Sequence, residues 1–390
     1  MDFQMFVPTR ILFGCGVLNS LHEQNLPGKK ALIVISNGKS ARCSGALDRT
    51  VAELSLAGVD SVIFDKIESN PLKSTAMAGG SFAREQHCDF IVALGGGSVI
   101  DCSKAIATMA TNPGDLWDYV HGGTGKAQPI PNTPLPIVAI TTTAGTGSEV
   151  DPWGVISNLE TNEKIGFGGP DSLFPKIAVV DPELMKSVPP VFTAYQGFDA
   201  LFHSIESYIS KFANLMSDMY ALTAIENVAK YLPRAVKDGG DMEARTHLAF
   251  ANTVSGVVMT LSLTTSQHSI EHAMSAYHHN LPHGAGLIMI SLAFMGYFVR
   301  NHGCDERFVN MARAMGKTDA SKPEDFLTAL ADLQKACGVE QLKMSDYGIM
   351  PDEFMKIAAN AKETMGGLFT SDRVPLSVKD CAEILKESYR

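Results

Sequence analysis

None of the seven cysteines of this 390-residue chain forms a C-x-x-C pair; Cys15, Cys43, Cys88, Cys102, Cys304, Cys337 and Cys381 are scattered and odd in number. That excludes a disulfide framework and a thiolate zinc site, and leads us to expect reduced thiols in a cytoplasmic protein. Long basic tracts are missing too. With a formal net charge of −10 the overall field repels polyanions, so nucleic-acid binding is not expected. No uncharged apolar run of about 18 residues occurs, so no membrane-spanning helix is expected. The opening residues, Met1 to Pro8, lack a basic stretch followed by an apolar one and do not read as a signal peptide. Disorder is excluded as well, because 45% of the residues are hydrophobic and 19% charged, enough for a large core. At this length about two or three domains are expected.

What is present changes character near the middle. The first half alternates compact apolar runs with helical patterns. Lys30–Ile35, Ser61–Phe64, Asp89–Leu94, Pro136–Ile140 and Ala178–Val180 read as strands, and continuous apolar runs of this kind are buried on both faces of a parallel sheet. Residues 1–188 are therefore read as a Rossmann-like α/β domain. After Val188-Pro189-Pro190 the strand signals fade. Helical patterns over Phe198–Ile209, Met216–Leu232, His247–Leu263 and Phe326–Ala336 make residues 189–390 an α-helical domain. Gly122 to Pro134 reads as a surface loop.

Two loops carry nucleotide chemistry. Gly95-Gly96-Gly97-Ser98 ends one predicted strand and opens a helix through Ala107, with Asp101 in its first turns. Glycines permit close backbone approach, and a helix start offers unpaired N–H groups and a positive dipole end, so the turn suits a pyrophosphate. Thr141 to Glu149 follows another strand end, and its hydroxyls can bond a ribose, an amide or a phosphate.

The second half carries a cluster of metal-ligand types. Asp199 and His203 are spaced i,i+4 and share a helical face, as do His268 and His272. His283 stands between Pro282 and Gly284 at a turn or helix start. Carboxylate plus imidazole suits Fe(II) or Zn(II). His278 and His279 read as exposed turn residues. His268-x-x-Glu271-His272 also fits the inverted zinc-peptidase pattern, with Glu271 as base, but that reading leaves both nucleotide-type loops and the Asp199/His203 pair without a use.

Taken together, the chain resembles the iron-containing (group III) alcohol dehydrogenases over essentially its whole length. The resemblance rests on Ile11 to Gly16, Ser69-Asn70-Pro71, the Gly95 to Asp101 loop, Thr142 to Glu149, Asp199-x-x-x-His203-x-x-Glu206, and His268 with Pro282-His283-Gly284. It implies a Rossmann-like domain and a helical domain with the active site in the cleft between them, as in dehydroquinate synthase-like architectures. It implies Asp199, His203, His268 and His283 as metal ligands and His272 as a catalytic residue near the nicotinamide. It implies cofactor contacts from Asn70, Gly96, Gly97, Ser98, Asp101, Thr142, Thr143, Thr146, Ser148 and Lys164. Glu206 is read as a structural helix residue, and Trp153 falls where the family lines its substrate pocket.

One departure bears on the cofactor. The aspartate that in many members ends the first strand and favours NAD is Ser36 here, with Lys39 nearby, which leaves NAD and NADP both open. The activity implied is metal-assisted hydride transfer between NAD(P) and small primary alcohols, diols or short aldehydes, in a possible homodimer. A zinc-dependent glycerol-type polyol dehydrogenase or a dehydroquinate-synthase-like enzyme is the alternative within the superfamily. A non-catalytic metal- or nucleotide-binding protein is a further one.

Overall fold

A computed structural model describes residues 3–390. They form two compact units, one over Phe6–Ser187 and one over Val188–Arg390 together with residues 3–5. In the first unit six parallel strands make one sheet: β1 (Arg10–Phe13), β2 (Lys30–Ser36), β3 (Asp60–Ile67), β4 (Phe90–Gly95), β5 (Ile137–Thr141) and β8 (Ile177–Val180). Their order is β1-β8-β5-β4-β2-β3. The chain therefore steps to one side of β2 for β3 and to the other for β4. Ligands of open parallel sheets bind at such a reversal, beyond the carboxyl ends of the strands. A separate antiparallel hairpin, β6 (Trp153–Asn158) and β7 (Glu163–Gly168), lies outside this sheet.

The period-two geometry of strands explains the core. Ile33 and Ile35, Phe90, Val92 and Leu94, Val138 and Ile140, and Ile177 and Val179 all fall on one face. There they pack with Leu18, Leu21, Leu47 and Leu54, the last two from helix α2 (Ala46–Leu56), which follows the short α1 (Ser40–Cys43). Each such side chain contributes roughly 1.5–3 kcal/mol on full burial. Helices α3 (Lys73–Glu85) and α4 (Gly97–Thr111) pack together through small residues. A Cβ on Gly79 would strike Ile106, and one on Gly80 would lie 2.7 Å from the Cβ of Met109.

The second unit is helical: α5 (Pro190–Ile209), α6 (Leu215–Lys237), α7 (Met242–Ser262), α8 (Ser266–Tyr277), α9 (His283–Arg300), α10 (Asp305–Ala314), α11 (Glu324–Ala336), α12 (Phe354–Thr364) and α13 (Val378–Ser388). Helix α8 is buried from Ser266 through Ala276. Helix α9 has the length and hydropathy of a membrane-crossing helix, but 67% of it is buried inside the protein, as in a core helix. Asn214 caps α6 by accepting from the backbone N–H groups of Met216 and Ser217, both at 3.1 Å. Pro233 falls inside the last turns of α6, so that helix runs past the expected Leu232 to Lys237.

Candidate metal and nucleotide sites

Three strand-end loops of the first unit meet at the start of α4. Gly96 is its N-cap residue and Gly97 its first residue. A Cβ on Gly96 would stand 2.8 Å from the Thr143 side chain, and one on Gly97 would fall onto the Thr146 side chain. Only glycine lets the two loops lie this close. Ser98 Oγ donates to the carbonyl of Ser69, which brings the Ser69-Asn70-Pro71 loop to the same turn. The hairpin joins them, since Ser157 N donates to Pro71 O at 2.8 Å. Gly96, Gly97, Ser98, Asn70, Thr142, Thr143 and Thr146 are thus gathered around one helix N-terminus, where unpaired N–H groups favour an anion. Lys164 lies on β7, opposite Ser157, and is buried.

Asp101 and Ser148 have a different first task. Ser148 Oγ donates to Asp101 Oδ1 at 2.5 Å, and Asp101 Oδ2 accepts from Val155 N at 2.9 Å. Beneath them lies Lys104, fully buried. Its Nζ donates to Ser148 Oγ at 2.8 Å, Asp151 Oδ1 at 2.9 Å and the Trp153 carbonyl at 2.5 Å. Burial pushes the carboxyl of Asp101 up to about 6, against the pull of the Lys104 charge, and it raises Asp151 as well. This cluster fixes the threonine loop and the hairpin to α4, and it sets the backbone of Trp153. The sequence offers no signal for Lys104, which resembles any helical surface lysine.

In the second unit α5 presents Asp199 and His203 one turn apart, α8 presents His268, and α9 begins with His283. A Cβ on Gly284 would run into the backbone of Tyr195, so glycine there lets the start of α9 press against α5 one turn before Asp199. Asp199 Oδ1 faces His283 Nε2 at 3.4 Å, His268 Nε2 at 3.6 Å and His203 Nδ1 at 3.7 Å. Ligand atoms of Asp199, His268 and His283 all lie within 4.8 Å of one another. The His203 ring stacks on His268, with centroids 4.4 Å apart. His272 lies edge-on to His268, and its ring centroid is 5.2 Å from that of His283.

The outward nitrogens are held by carboxylates. His268 Nδ1 is 2.6 Å from Glu206 Oε1, and His283 Nδ1 bonds Glu271 Oε2. Both glutamates are fully buried. Glu206 Oε2 also accepts from Thr265 N and Thr265 Oγ1, both at 2.9 Å, and Asp372 Oδ1 accepts from Ser266 N at 3.1 Å. Two carboxylates therefore cover the positive end of α8. Glu206 is not a mere structural helix residue, as its sequence context suggests; it orients a site histidine. Glu271 serves His283, and the two histidines of the His268-x-x-Glu271-His272 pattern do not share a ligand set among the described residues. The peptidase reading therefore loses its geometry. His278 departs from expectation too. It is largely buried, with Nε2 3.2 Å from Glu353 Oε2, while His279 is exposed.

This donor set fits a divalent cation. Asp199 Oδ1 and His268 Nε2 are buried without a hydrogen-bond partner, a costly state that a bound cation relieves. Burial alone would raise the carboxyl of Asp199, yet the imidazoles of His203, His283 and His268 hold it well below the carboxylate range. Burial opposes a charge on His268, and the Glu206 and Asp199 carboxylates outweigh it, raising that imidazole to about 10 in the metal-free protein. Imidazoles fixed by carboxylates through the second nitrogen are the usual support of a metal site.

Residues 8–182 match the sequence profile described as iron-containing alcohol dehydrogenase, and residues 193–389 that of the C-terminal part of the Fe-containing alcohol dehydrogenase family. The chain is 34% identical to a 1,3-propanediol dehydrogenase of Citrobacter freundii, with 100% of each chain covered. It is 32% identical to the NADH-dependent butanol dehydrogenase A of Clostridium acetobutylicum, again with 100% of each covered. An archaeal halo-thermophilic alcohol dehydrogenase from a Red Sea brine pool, solved bound to NZQ, superposes with a TM-score of 0.93 at 33% identity, covering 100% of this chain and 99% of that one.

Proposed function

The chain belongs to the iron-containing alcohol dehydrogenase family, and from that premise we propose that it interconverts small primary alcohols or diols and their aldehydes, using NAD(H) and Fe(II). It is an oxidoreductase acting on the CH–OH group. The carrying observation is the convergence of His268 Nε2 and His283 Nε2 on Asp199 Oδ1, each ring anchored behind by a buried glutamate. Asp199, His203, His268 and His283 would hold the metal. When bound, metal and cofactor supply Lewis acidity at the alcohol or carbonyl oxygen and a hydride acceptor or donor. One carboxylate and three imidazoles also accommodate Zn(II), so metal identity is set by reconstitution.

The chain's own residues do the rest. The N–H groups at Gly96, Gly97 and Ser98 bind the pyrophosphate, and Asn70, Thr142, Thr143, Thr146 and Lys164 line the remainder of the cofactor. Asp101 and Ser148 hold those loops in place. His272, beside the ligand set, carries the hydroxyl proton toward solvent. At the end of β2, Ser36 and the exposed Lys39 offer no carboxylate to repel a 2′-phosphate, so NADP(H) is accepted as a second cofactor. Edge strand β1 leaves Ile11 39% and Phe13 40% exposed, which supports a homodimer through that edge. Seven free thiols support a cytoplasmic location, and the net charge of −10 argues against nucleic-acid partners. Steady-state assays with NADH and NADPH over a panel of short aldehydes, and with NAD over the matching alcohols, test the reading. Turnover lost in Asp199→Ala and His268→Ala is the expected result; no turnover with any substrate by metal-loaded protein contradicts it.

A further inference from the structure

Helix α8 carries Ser269 and His272 three residues apart, so both side chains leave one face of it. That face meets the end of α12. Ser269 Oγ donates to the carbonyl of Ala361 at 2.7 Å and lies 3.5 Å from that of Met365. Met365 directly follows α12, and its N–H still bonds Ala361 O at 3.2 Å. Its carbonyl accepts from Leu368 N at 3.1 Å, at the turn Gly366–Thr370. Backbone bonds on both sides therefore fix Met365 against α8.

The side chain completes the contact. Met365 Sδ lies 2.7 Å from His272 Nδ1. A thioether has no hydrogen to give, so its sulfur can only accept. The bond forms only with the proton on Nδ1, and the neutral ring then carries its lone pair on Nε2. The neighbouring imidazoles are held differently: His268 Nδ1 meets the Glu206 carboxylate and His283 Nδ1 that of Glu271. A carboxylate behind an imidazole raises its basicity toward a metal. A thioether fixes the ring and its tautomer without adding charge. His272 nevertheless stays with the cluster, since one of its ring nitrogens lies within 4.8 Å of ligand-type atoms of both Glu271 and His283.

We propose that Met365 is a positioning residue for His272. Its sulfur holds the ring in the Nδ1–H tautomer, so that Nε2 is the atom that takes up the hydroxyl proton in alcohol oxidation and returns it in aldehyde reduction. The sulfur takes up no proton near neutral pH, so no proton wire runs through the ring to Met365. The proton that reaches Nε2 therefore leaves from Nε2, to water, as the hydride leaves the same alcohol for NAD. The proposal rests on the dehydrogenase reading above, in which His272 handles the proton.

Nitrogen-15 spectra of the histidine-labelled, Zn(II)-loaded full chain read the tautomer, with His272→Ala assigning the signals. The wild type should show a pyrrole-type Nδ1 and a pyridine-type Nε2. Met365→Leu keeps the apolar volume but removes the acceptor, and should lose the single tautomer; Met365→Gln supplies an amide oxygen and should restore it. With butanol and NAD, Met365→Leu should lower kcat roughly tenfold, with KM for NAD and metal content unchanged, and Met365→Gln should recover most of the loss. A wild-type ring protonated on Nε2, or a tautomer that Met365→Leu leaves unaltered, overturns the proposal. So does a kcat that falls only together with metal content, or equally in both variants. A wild-type protein that oxidises no alcohol removes the dehydrogenase reading and with it the use of Nε2, while the spectra of the same sample still show whether Met365 sets the tautomer.

Discussion

His268 and Glu206 lie 62 residues apart in sequence, and their side chains meet at 2.6 Å inside the helical unit, Nδ1 to Oε1. The bond leaves Nε2 as the nitrogen that faces Asp199. It also ties α8 to α5, because the other oxygen of the same carboxylate holds Thr265 at the start of α8. Orientation of the imidazole and anchorage of its helix thus depend on one side chain.

Glu206→Ala should weaken metal binding about 10- to 100-fold, the usual effect of losing a carboxylate behind a ligand histidine. Glu206→Gln keeps an acceptor for Thr265 and should lose less. Competition against a chelator of known affinity measures both, and equal losses in the two variants would show that the charge, not the hydrogen bond, dominates.

Gly97→Ala places a methyl group on the Thr146 side chain. The two loops must then separate at the start of α4. NADH affinity should fall at least about tenfold while the melting temperature changes little, because the clash lies at a strand-end loop and not in the sheet core. Fluorescence titration with NADH beside a thermal melt separates the two effects; an unaltered NADH Kd contradicts the loop assignment.

Lys104 and Asp151 form a buried ion pair, with side chains 0% and 5% exposed. Lys104→Met leaves the Asp151 charge buried without its partner and should cost about 3–5 kcal/mol in urea unfolding. The double variant Lys104→Met with Asp151→Leu removes both charges and should recover a large part of that loss. Failure to recover any would mean that the lysine hydrogen bonds to Ser148 and Trp153, and not the ion pair, hold the hairpin.

Asp101 gives stability a pH signature. Its carboxyl is raised by burial to about 6 in the folded protein, above the ordinary value of 3.8. The folded state therefore binds the proton more tightly than the unfolded chain, and this residue's contribution to stability falls as pH rises from about 4 through about 6. Asp101→Asn lacks that contribution. Relative to the wild type it should gain on the order of 2 kcal/mol between pH 4 and pH 7, read from urea melts at both values. A constant difference between the two proteins would contradict the shift.

The sheet was legible where apolar runs were long and unbroken, as in Lys30–Ile35 and Phe90–Leu94, because strands buried on both faces leave no polar alternation to confuse the pattern. Strand β1, with four residues, and the hairpin over Trp153–Gly168, which carries three glycines and half-polar strands, gave no such run. In the helical unit, the i,i+4 spacing of Asp199 and His203 shows a shared face. Spacing says nothing about which distant carboxylate meets His268 or His283, so Glu206 and Glu271 became visible only through tertiary packing. Lys104 was hidden for the opposite reason: its type predicts a solvated side chain, and only the enclosed oxygens of Ser148, Asp151 and Trp153 show otherwise.

The most direct test of the central claim is anaerobic reconstitution. The protein is stripped of metal, titrated separately with Fe(II) and Zn(II), and assayed for aldehyde-dependent NADH oxidation at each step. The account predicts about one equivalent bound per chain, turnover rising in proportion to occupancy and greatest with Fe(II), and no binding in Asp199→Ala. Full turnover by the stripped protein, or unchanged metal binding in Asp199→Ala, would contradict it.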